Sequence, residues 1–456
     1  MLSLGLGCTK LTQKRRTRLT EGANVDVDVG VDVVKAAAVL IEEGCMFELP
    51  EKARAIQAEV EQFFTEHVLP ANSQWQKEAS DGFARPPVEM ALRDRAKALG
   101  LWNMALPRLT EDEPGMRLSN LEFTGVAEVL GRLEWASRVF NCHAPDVPNM
   151  ELLQLFATDK QREQWLKPLL EGEMGSAFAM TEPDVASSDP ANLETCIERD
   201  GEYFILNGRK WFASNAGHEH CELIIAVGVT DPEAAKSQRQ SLLLVPRHAP
   251  GVDIIRNLPV FDHTSVTNMH TELTFTDVRI PVDQLLGERG AGFSIGQARL
   301  GPARLHHCMR AIGECEVLIS LMVERSQARS TFGKRIDEYG ATQAAISLSR
   351  IELDQCRLLV QRAAHLLDTV GNKVARKQIS MIKVAVARVY QDIADRAVQI
   401  YGAKGVTSDT PAARAFNRAR AFRIYDGPDE VHLQTIARLE AADQDLSHVA
   451  YYLSGE

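Results

Sequence analysis

The chain has 456 residues, 45% of them hydrophobic and 25% charged, with a formal net charge of −11. That is the make-up of an ordinary globular protein of about three domains. The acidic balance weighs against nucleic acid as the main partner, because phosphate binding needs a basic surface, and no run of about 18 apolar residues offers a membrane span.

Residues 1–45 differ from the rest. "TKLTQKRRTRLT" (9–20) is basic and no acid precedes Glu21, the charge pattern of a mitochondrial presequence. "NVDVDVGVDVV" behind it is acidic and alternating, which a presequence is not. A start of translation at Met46 is therefore an equal reading of this N-terminal extension. A mitochondrial location is expected from the basic stretch, with the cytoplasm or peroxisome as alternatives. The C-terminal "YLSGE" is not a peroxisomal address.

Residues 46–172 read as a helical domain. "EKARAIQAEVEQFFTEHV", "ALRDRAKALGLW" and "NLEFTGVAEVLGRL" carry apolar residues three and four apart. "TDKQREQWLKPLLEGEM" closes the block, with Pro168 and Gly172 as stop signals. Residues 173–287 read as an antiparallel β domain. "YFILNGRKWFAS", "ELIIAVGV", "SLLLVP" and "TELTFTDVRIP" are short β-prone runs separated by turn residues. Residues 288–456 read as a helical bundle: Leu359, Ala363, Leu366 and Val370, then Ile382, Val386, Val389, Ile393, Ala397 and Ile400, repeat at spacings of 3 and 4. The order defines an α+β chain with an N-terminal helical domain, a middle antiparallel β domain and a C-terminal four-helix bundle.

Eight cysteines are scattered without a Cys-x-x-Cys, so neither a zinc knuckle nor a redox pair is signalled. "HEHC" (218–221) and the adjacent His306-His307 lack metal-ligand spacing, and no metal is expected. No Gly-x-Gly-x-x-Gly follows a strand, so no Rossmann site is indicated. One stretch stands out near the end, "RIYDGPDEVHLQ" (423–434). Gly427-Pro428 breaks a helix. An acid at the break, Asp426, can be aimed into a cavity, although a solvated acidic loop is the plain alternative.

The domain order and five motifs together resemble the acyl-CoA dehydrogenase flavoproteins, from about residue 46 to about 440. "AFAMTEPDVASSD" (177–189) and "NGRKWFASNAG" (207–217) are similar to the two flavin-contacting segments. "TFTDVRIPVDQLLGERGAGF" (274–293) is similar to the passage into the last bundle. "ERSQARSTFGK" (324–334) and "QIYGAKGV" (399–406) resemble segments that reach a neighbouring subunit's flavin. "NCHAPDVPNME", "PDVASSD" and "DGPDEVH" resemble a subfamily whose animal members carry a kinase-like domain ahead of the dehydrogenase part, a domain this sequence is expected to lack.

The resemblance implies FAD-dependent α,β-desaturation of an acyl-CoA thioester. In much of the family a Glu between Tyr and Gly is the base that takes the α proton, while a hydride leaves the β carbon for flavin N5. Tyr425-Asp426-Gly427 puts Asp426 there, one methylene shorter. Burial is expected to raise its pKa, and hydrogen bonds to the thioester oxygen would stabilise the enolate. Phe178, Met180, Thr181, Phe212 and Ser214 would lie against the flavin ring. Ser188 would serve the flavin diphosphate or the CoA, with Ser187 a near equal. Arg329, Phe332, Gln399, Gly402 and Gly405 would hold a partner's flavin diphosphate and adenine. Arg304, Gly427 and the polar trio Asn141, His143 and Asn149 would face the substrate, the trio suiting an acyl chain with a hydroxyl or a branch. β-Domain core is the alternative for Phe178, Met180 and Phe212, a surface charge for Arg329, and a bundle salt bridge for Arg304.

The implied partners are acyl-CoA, an electron-transfer flavoprotein and a second copy in a homodimer or homotetramer. Two rivals stay open. Nitroalkane oxidases resemble this family and use an aspartate base. Other family-like proteins bind DNA or act as scaffolds.

Overall fold

The computed structural model describes residues 48–82, 84–264, 269–446 and 449–454. The expected N-terminal extension, 1–45, lies outside them. From Leu49 onward the chain forms one compact unit.

Helix α1 (Glu51–Phe63) buries Ala53, Ile56, Val60 and Phe63, the 3-4-3 spacing of a one-sided helix. It runs through a wider π turn, Phe64–Val68, into α2 (Leu69–Ser80). Helices α3 (Pro87–Ala98), α4 (Asn120–Gly131) and α5 (Asp146–Phe156) complete the first layer. A capping box opens α4: Ser119 Oγ accepts from the Glu122 N–H at 3.2 Å, and the Glu122 carboxylate accepts from the Ser119 N–H at 2.8 Å. Pro168 does not stop the last helical stretch as expected. It sits in the first turn of Lys167–Glu171, just after a π turn, where its missing N–H goes unused. Gly172 does end it, in the left-handed conformation at φ 75°.

Strands β1 (Gly175–Ala179), β2 (Cys196–Asp200), β3 (Tyr203–Ala213), β4 (Cys221–Val229), β5 (Gln240–Pro246), β6 (Val252–Asn257), β7 (Thr271–Pro281) and β8 (Leu285–Leu286) form one sheet. Its order is β6-β7-β3-β2-β4-β5-β8, with β1 beside β4. The main ladders are antiparallel, but β1 runs parallel to β4 and β2 meets β4 in parallel at Cys196 and Val229. The sheet is therefore mixed. Strand β1 enters from the helical domain and reaches β4 through β2 and β3, so no tight hairpin reverses it. Alternation along β4 and β5 splits two cores. Leu223, Ile225, Leu242 and Leu244 pack toward the helices, while Ile224, Ala226, Leu243 and Val245 fill the other face.

The last part is built on α6 (Gly292–Ala328) and α7 (Gly340–Tyr401). Helix α7 is two limbs meeting at Gly371, whose φ of 77° and ψ of 169° are non-helical. The limbs run antiparallel, since Arg396 on one pairs with Glu352 on the other at 2.6 Å. Helix α6 lies along both: Glu316 pairs with Arg350 at 2.7 Å, and Glu314 accepts from Tyr390. A short hairpin, β9 (Ser330–Thr331) and β10 (Lys334–Arg335), joins α6 to α7. Helices α8 (Ala412–Phe422) and α9 (Asp429–Asp443) pack on the second limb of α7. Among the described residues no helix is long and apolar enough to cross a membrane.

Candidate active site

Between α8 and α9 the chain turns sharply at Asp426 and Gly427, with φ of 56° and 99°. A left-handed aspartate is strained and needs surroundings that hold it. Three neighbours do so through carbonyls. Arg304 Nε donates to the Asp426 carbonyl at 2.7 Å and His432 Nε2 meets the same oxygen at 3.2 Å. The buried Lys383 donates to the Phe422 carbonyl at 2.5 Å and approaches that of Gly427 at 3.5 Å. A Cβ on Gly427 would come within 2.7 Å of His432 Nε2, so only glycine fits there.

The Asp426 side chain is 20% exposed and its Oδ2 lies 3.4 Å from His307 Nε2. Burial alone would raise the carboxyl's pKa. His307, Arg299, Arg304 and Lys383 outweigh it and hold the group below its ordinary value. His307 is itself pushed down to about 3 by burial and Arg310. At neutral pH it is an uncharged imidazole, and the lasting charges are Arg299, Arg304 and Lys383. The expected upward shift at Asp426 is thus reversed in this chain.

The two segments expected to meet a flavin come together beside this turn. Lys210, fully buried, donates to the Met180 carbonyl at 2.9 Å and to Glu182 at 2.8 Å. The Trp211 N–H donates to the Thr181 carbonyl at 3.0 Å. Glu182 in turn accepts from the N–H groups of Glu194 and Thr195. Phe212 stands 43% exposed at φ 51°. Ser214 Oγ shares a hydrogen with His270 Nδ1 at 2.8 Å, and the Trp211 indole N–H is buried without a partner. Met180 lines a small cavity with Gly292, Phe293, Gly296 and Gln297 at the start of α6. Arg299 links the sheet to the turn: its guanidinium sits 4.1 Å over the Phe178 ring and its charge acts on Asp426.

Other expected residues stand elsewhere. Ser187 Oγ is taken up by the Glu182 backbone, while Ser188 is exposed. Asn141, 3% exposed, donates to Asn103 at 2.7 Å and to the Leu169 carbonyl at 3.0 Å. Its amide braces the first helical layer instead of facing a cleft. Asn149 is fully buried, receiving Arg299 Nε at 2.9 Å and donating to Ser176 Oγ at 2.9 Å. Ser176 donates to Asp146 at 2.6 Å, and Asp146 meets His143 Nε2 at 3.1 Å. Asn149 and His143 therefore belong to a buried chain behind Arg299. Arg304, expected near CoA, spends its Nε on the Asp426 carbonyl.

Arg329, Phe332, Gln399 and Gly402 gather at the far end of α6. Tyr401 OH lies 3.4 Å from Glu324 and Arg325 covers the Tyr401 ring at 5.4 Å, which joins the 399–406 turn to that end. Phe332 is 97% exposed at φ 49°. Gly405 is buried, and a Cβ there would strike the Val398 carbonyl at 2.4 Å. Close packing demands that glycine, whatever else approaches it. Sequence reasoning misses Arg299, His307, Arg310 and Lys383. They are single residues inside long helices, and only their position along α6 relative to Arg304 offers a hint of the first three.

A helical layer, a mixed β-sheet and a bundle around a half-buried carboxylate beside an aromatic wall define a class of redox enzyme fold, and the comparisons with known proteins agree. Three family models match in order: "Acyl-CoA dehydrogenase, N-terminal domain" at residues 50–173, "middle domain" at 177–278 and "C-terminal domain" at 290–440. The chain belongs to the acyl-CoA dehydrogenase family of flavoprotein oxidoreductases. It is 46% identical over 414 residues to the Mycobacterium tuberculosis protein described as a probable acyl-CoA dehydrogenase, FadE2, covering 89% of this chain and 99% of that one. A solved acyl-CoA dehydrogenase-type structure from Mycobacterium abscessus matches with a TM-score of 0.83 at 41% identity, covering 87% and 99%. A structure of PigA with FAD and proline shares the fold at 23% identity, a TM-score of 0.76 and coverage of 87% and 99%. The chain spans 38% of the length of mouse acyl-CoA dehydrogenase family member 10 and 52% of chicken family member 11, at 44% and 42% identity.

Proposed function

We propose that the protein is an FAD-dependent acyl-CoA dehydrogenase in which Asp426 removes the α proton of the thioester. The observation that carries this reading is the strained Asp426 turn, held through its carbonyls by three neighbours and surrounded by permanent cations, next to the flavin-type segments of the sheet. An ionised carboxylate is the form a base needs, and the cations keep it ionised at neutral pH. They also offer charge complementary to a developing enolate. The Asp426 N–H is the donor assigned to the thioester oxygen.

FAD fits the face beside β1 and β3. A flat ring needs an apolar wall and polar groups at its rim. Phe212 and Phe178 supply the first, and Thr181, Ser214 and the unpartnered Trp211 indole N–H the second. When bound, FAD supplies the two-electron chemistry by accepting the hydride of the β carbon. The chain's own part is to orient the acyl group, exclude water and hold the proton on Asp426. Arg329, Phe332, Gln399 and Gly402 lie about 36 Å along α6 from Arg304, counting 24 residues at 1.5 Å each. They suit the flavin of a second copy in a symmetric dimer or tetramer. An electron-transfer flavoprotein is the acceptor we assign.

Anaerobic titration with acyl-CoAs, read by flavin absorbance, tests the reading. Bleaching by an acyl-CoA that is lost in Asp426→Asn with flavin retained is expected. Bound flavin that no acyl-CoA reduces would contradict it. One observation favours a second reading: a carboxylate held below its ordinary pKa suits a more acidic carbon, such as that of a nitroalkane. Turnover of small nitroalkanes with oxygen and without CoA would shift the assignment there.

A further inference from the structure

His306 and His307 leave α6 in different directions. His306 is buried edge-on to Phe123 at 5.4 Å. His307 stands edge-on to Tyr425 at 5.2 Å and turns Nε2 toward Asp426 Oδ2 at 3.4 Å. Its other nitrogen, Nδ1, lies 3.1 Å from Arg310 Nη2. A guanidinium can only donate. Nδ1 is therefore the acceptor, and the neutral ring carries its hydrogen on Nε2, facing the carboxylate. That excludes His307 as a base, because neither nitrogen keeps a lone pair for the cleft. Asp426 Oδ2 is buried and has no formed hydrogen bond, so the exposed part of the side chain is its Oδ1 half. At 3.4 Å the contact is longer than a formed hydrogen bond. Such contacts tighten when substrate closes a site.

We propose that His307 is a positioning residue for the base: its Nε2–H, locked by Arg310, restrains Oδ2 of Asp426 and aims Oδ1 at the substrate's α carbon. The proposal rests on Asp426 being that base. The charged and titratable groups around this carboxylate are Arg299, Arg304, His307, Cys308 and Arg310 on α6, Lys383 on α7 and Tyr425 beside it, with His432 of α9 on its carbonyl. Arg310 stands behind His307. All but His307 stay in place in the variants below.

The test uses the flavin-loaded protein, anaerobic rapid mixing with an acyl-CoA across pH, and three variants. His307→Phe keeps the ring contacts to Tyr425 and Phe422 and removes the donor. His307→Gln keeps an N–H near the place of Nε2. We expect His307→Phe to slow flavin reduction about ten- to a hundredfold, the worth of a hydrogen bond to a charged group. Its acid limb moves to higher pH, because losing a donor destabilises the carboxylate and raises its pKa. His307→Gln restores most of the rate and returns the limb. Carbon-13 titration of the Asp426 carboxyl shows the same upward shift in His307→Phe without any turnover. A His307→Phe protein with the wild-type rate and limb, or a His307→Gln protein as impaired as His307→Phe, overturns the proposal. Asp426→Asn separates the two levels. If it reduces flavin at the wild-type rate, the base assignment itself fails. If it is inert while His307→Phe behaves as wild type, only the role of His307 falls.

Discussion

The two ends of α6 are built differently. Near its start, Arg299, Arg304, His307 and Arg310 close on one turn of the same chain, and Asp426 is fixed from α6, α7 and α9. At its far end the helix runs into a two-stranded hairpin whose tip carries Phe332, 97% exposed, between Thr331 and Gly333. One end has its backbone fixed by its own chain, and the other presents an exposed aromatic ring. Under the proposed function, proton chemistry is determined within the subunit, while the grip on the cofactor's far half is assigned to a second copy.

The largest effect that could break this contrast belongs to the first end. Asp426→Asn should slow acyl-CoA-driven flavin bleaching about 10²- to 10⁴-fold with flavin still bound, as read by anaerobic absorbance. Retained rates would mean the turn is architectural only.

A second buried acid sharpens the picture. Glu151 on α5 is 5% exposed, and its Oε2 has no hydrogen bond. Burial pushes it up to about 8 despite Arg108 and Arg299. Its folded pKa exceeds the unfolded one, near 4.3. The carboxyl therefore costs nothing below about pH 4, and the cost grows until about pH 8. Glu151→Gln should stabilise the protein at pH 8 by roughly 4–5 kcal/mol at most and leave pH 4 nearly unchanged, as measured by denaturant unfolding. Equal gains at both pH values would show the effect is not titration.

At the exposed end, Phe332→Asp should weaken subunit association by about 2 kcal/mol, or some thirtyfold. Analytical ultracentrifugation reads this, with subunit stability unchanged because the ring touches little of its own chain. The smallest effect contrasts two glycines in left-handed conformations. A methyl added at Gly402 would meet open space, so Gly402→Ala should cost only the backbone strain of its positive φ, about 1–3 kcal/mol. Gly427→Ala meets His432 as well and should also lower the reduction rate. Equal losses of stability and no change in rate would remove the distinction.

Much of this is legible in the sequence. The 3-4-3 run Ala53, Ile56, Val60, Phe63 announces a helix that buries one face, and the continuous apolar run of β4 announces a strand buried on both. Asp426 can be found because Gly427-Pro428 breaks the helix around it. The parallel β1–β4 pairing cannot, since alternation does not encode strand direction. Nor can the fates of Asn141, in a turn, and Asn149, in a helix, because a polar residue looks the same in sequence whether it faces substrate or a buried carbonyl. His307 is visible only as half of a histidine pair without metal spacing; its meaning depends on Arg310, one turn further along α6, and on a turn more than a hundred residues away.

The measurement that bears most directly on Asp426 is solvent deuterium wash-in at the α carbon of an acyl-CoA held by the protein in D2O, followed by mass spectrometry. Exchange by the wild type that disappears in Asp426→Asn is the expected result, whatever the later fate of the hydride. Exchange that persists in Asp426→Asn would place the base elsewhere in the site.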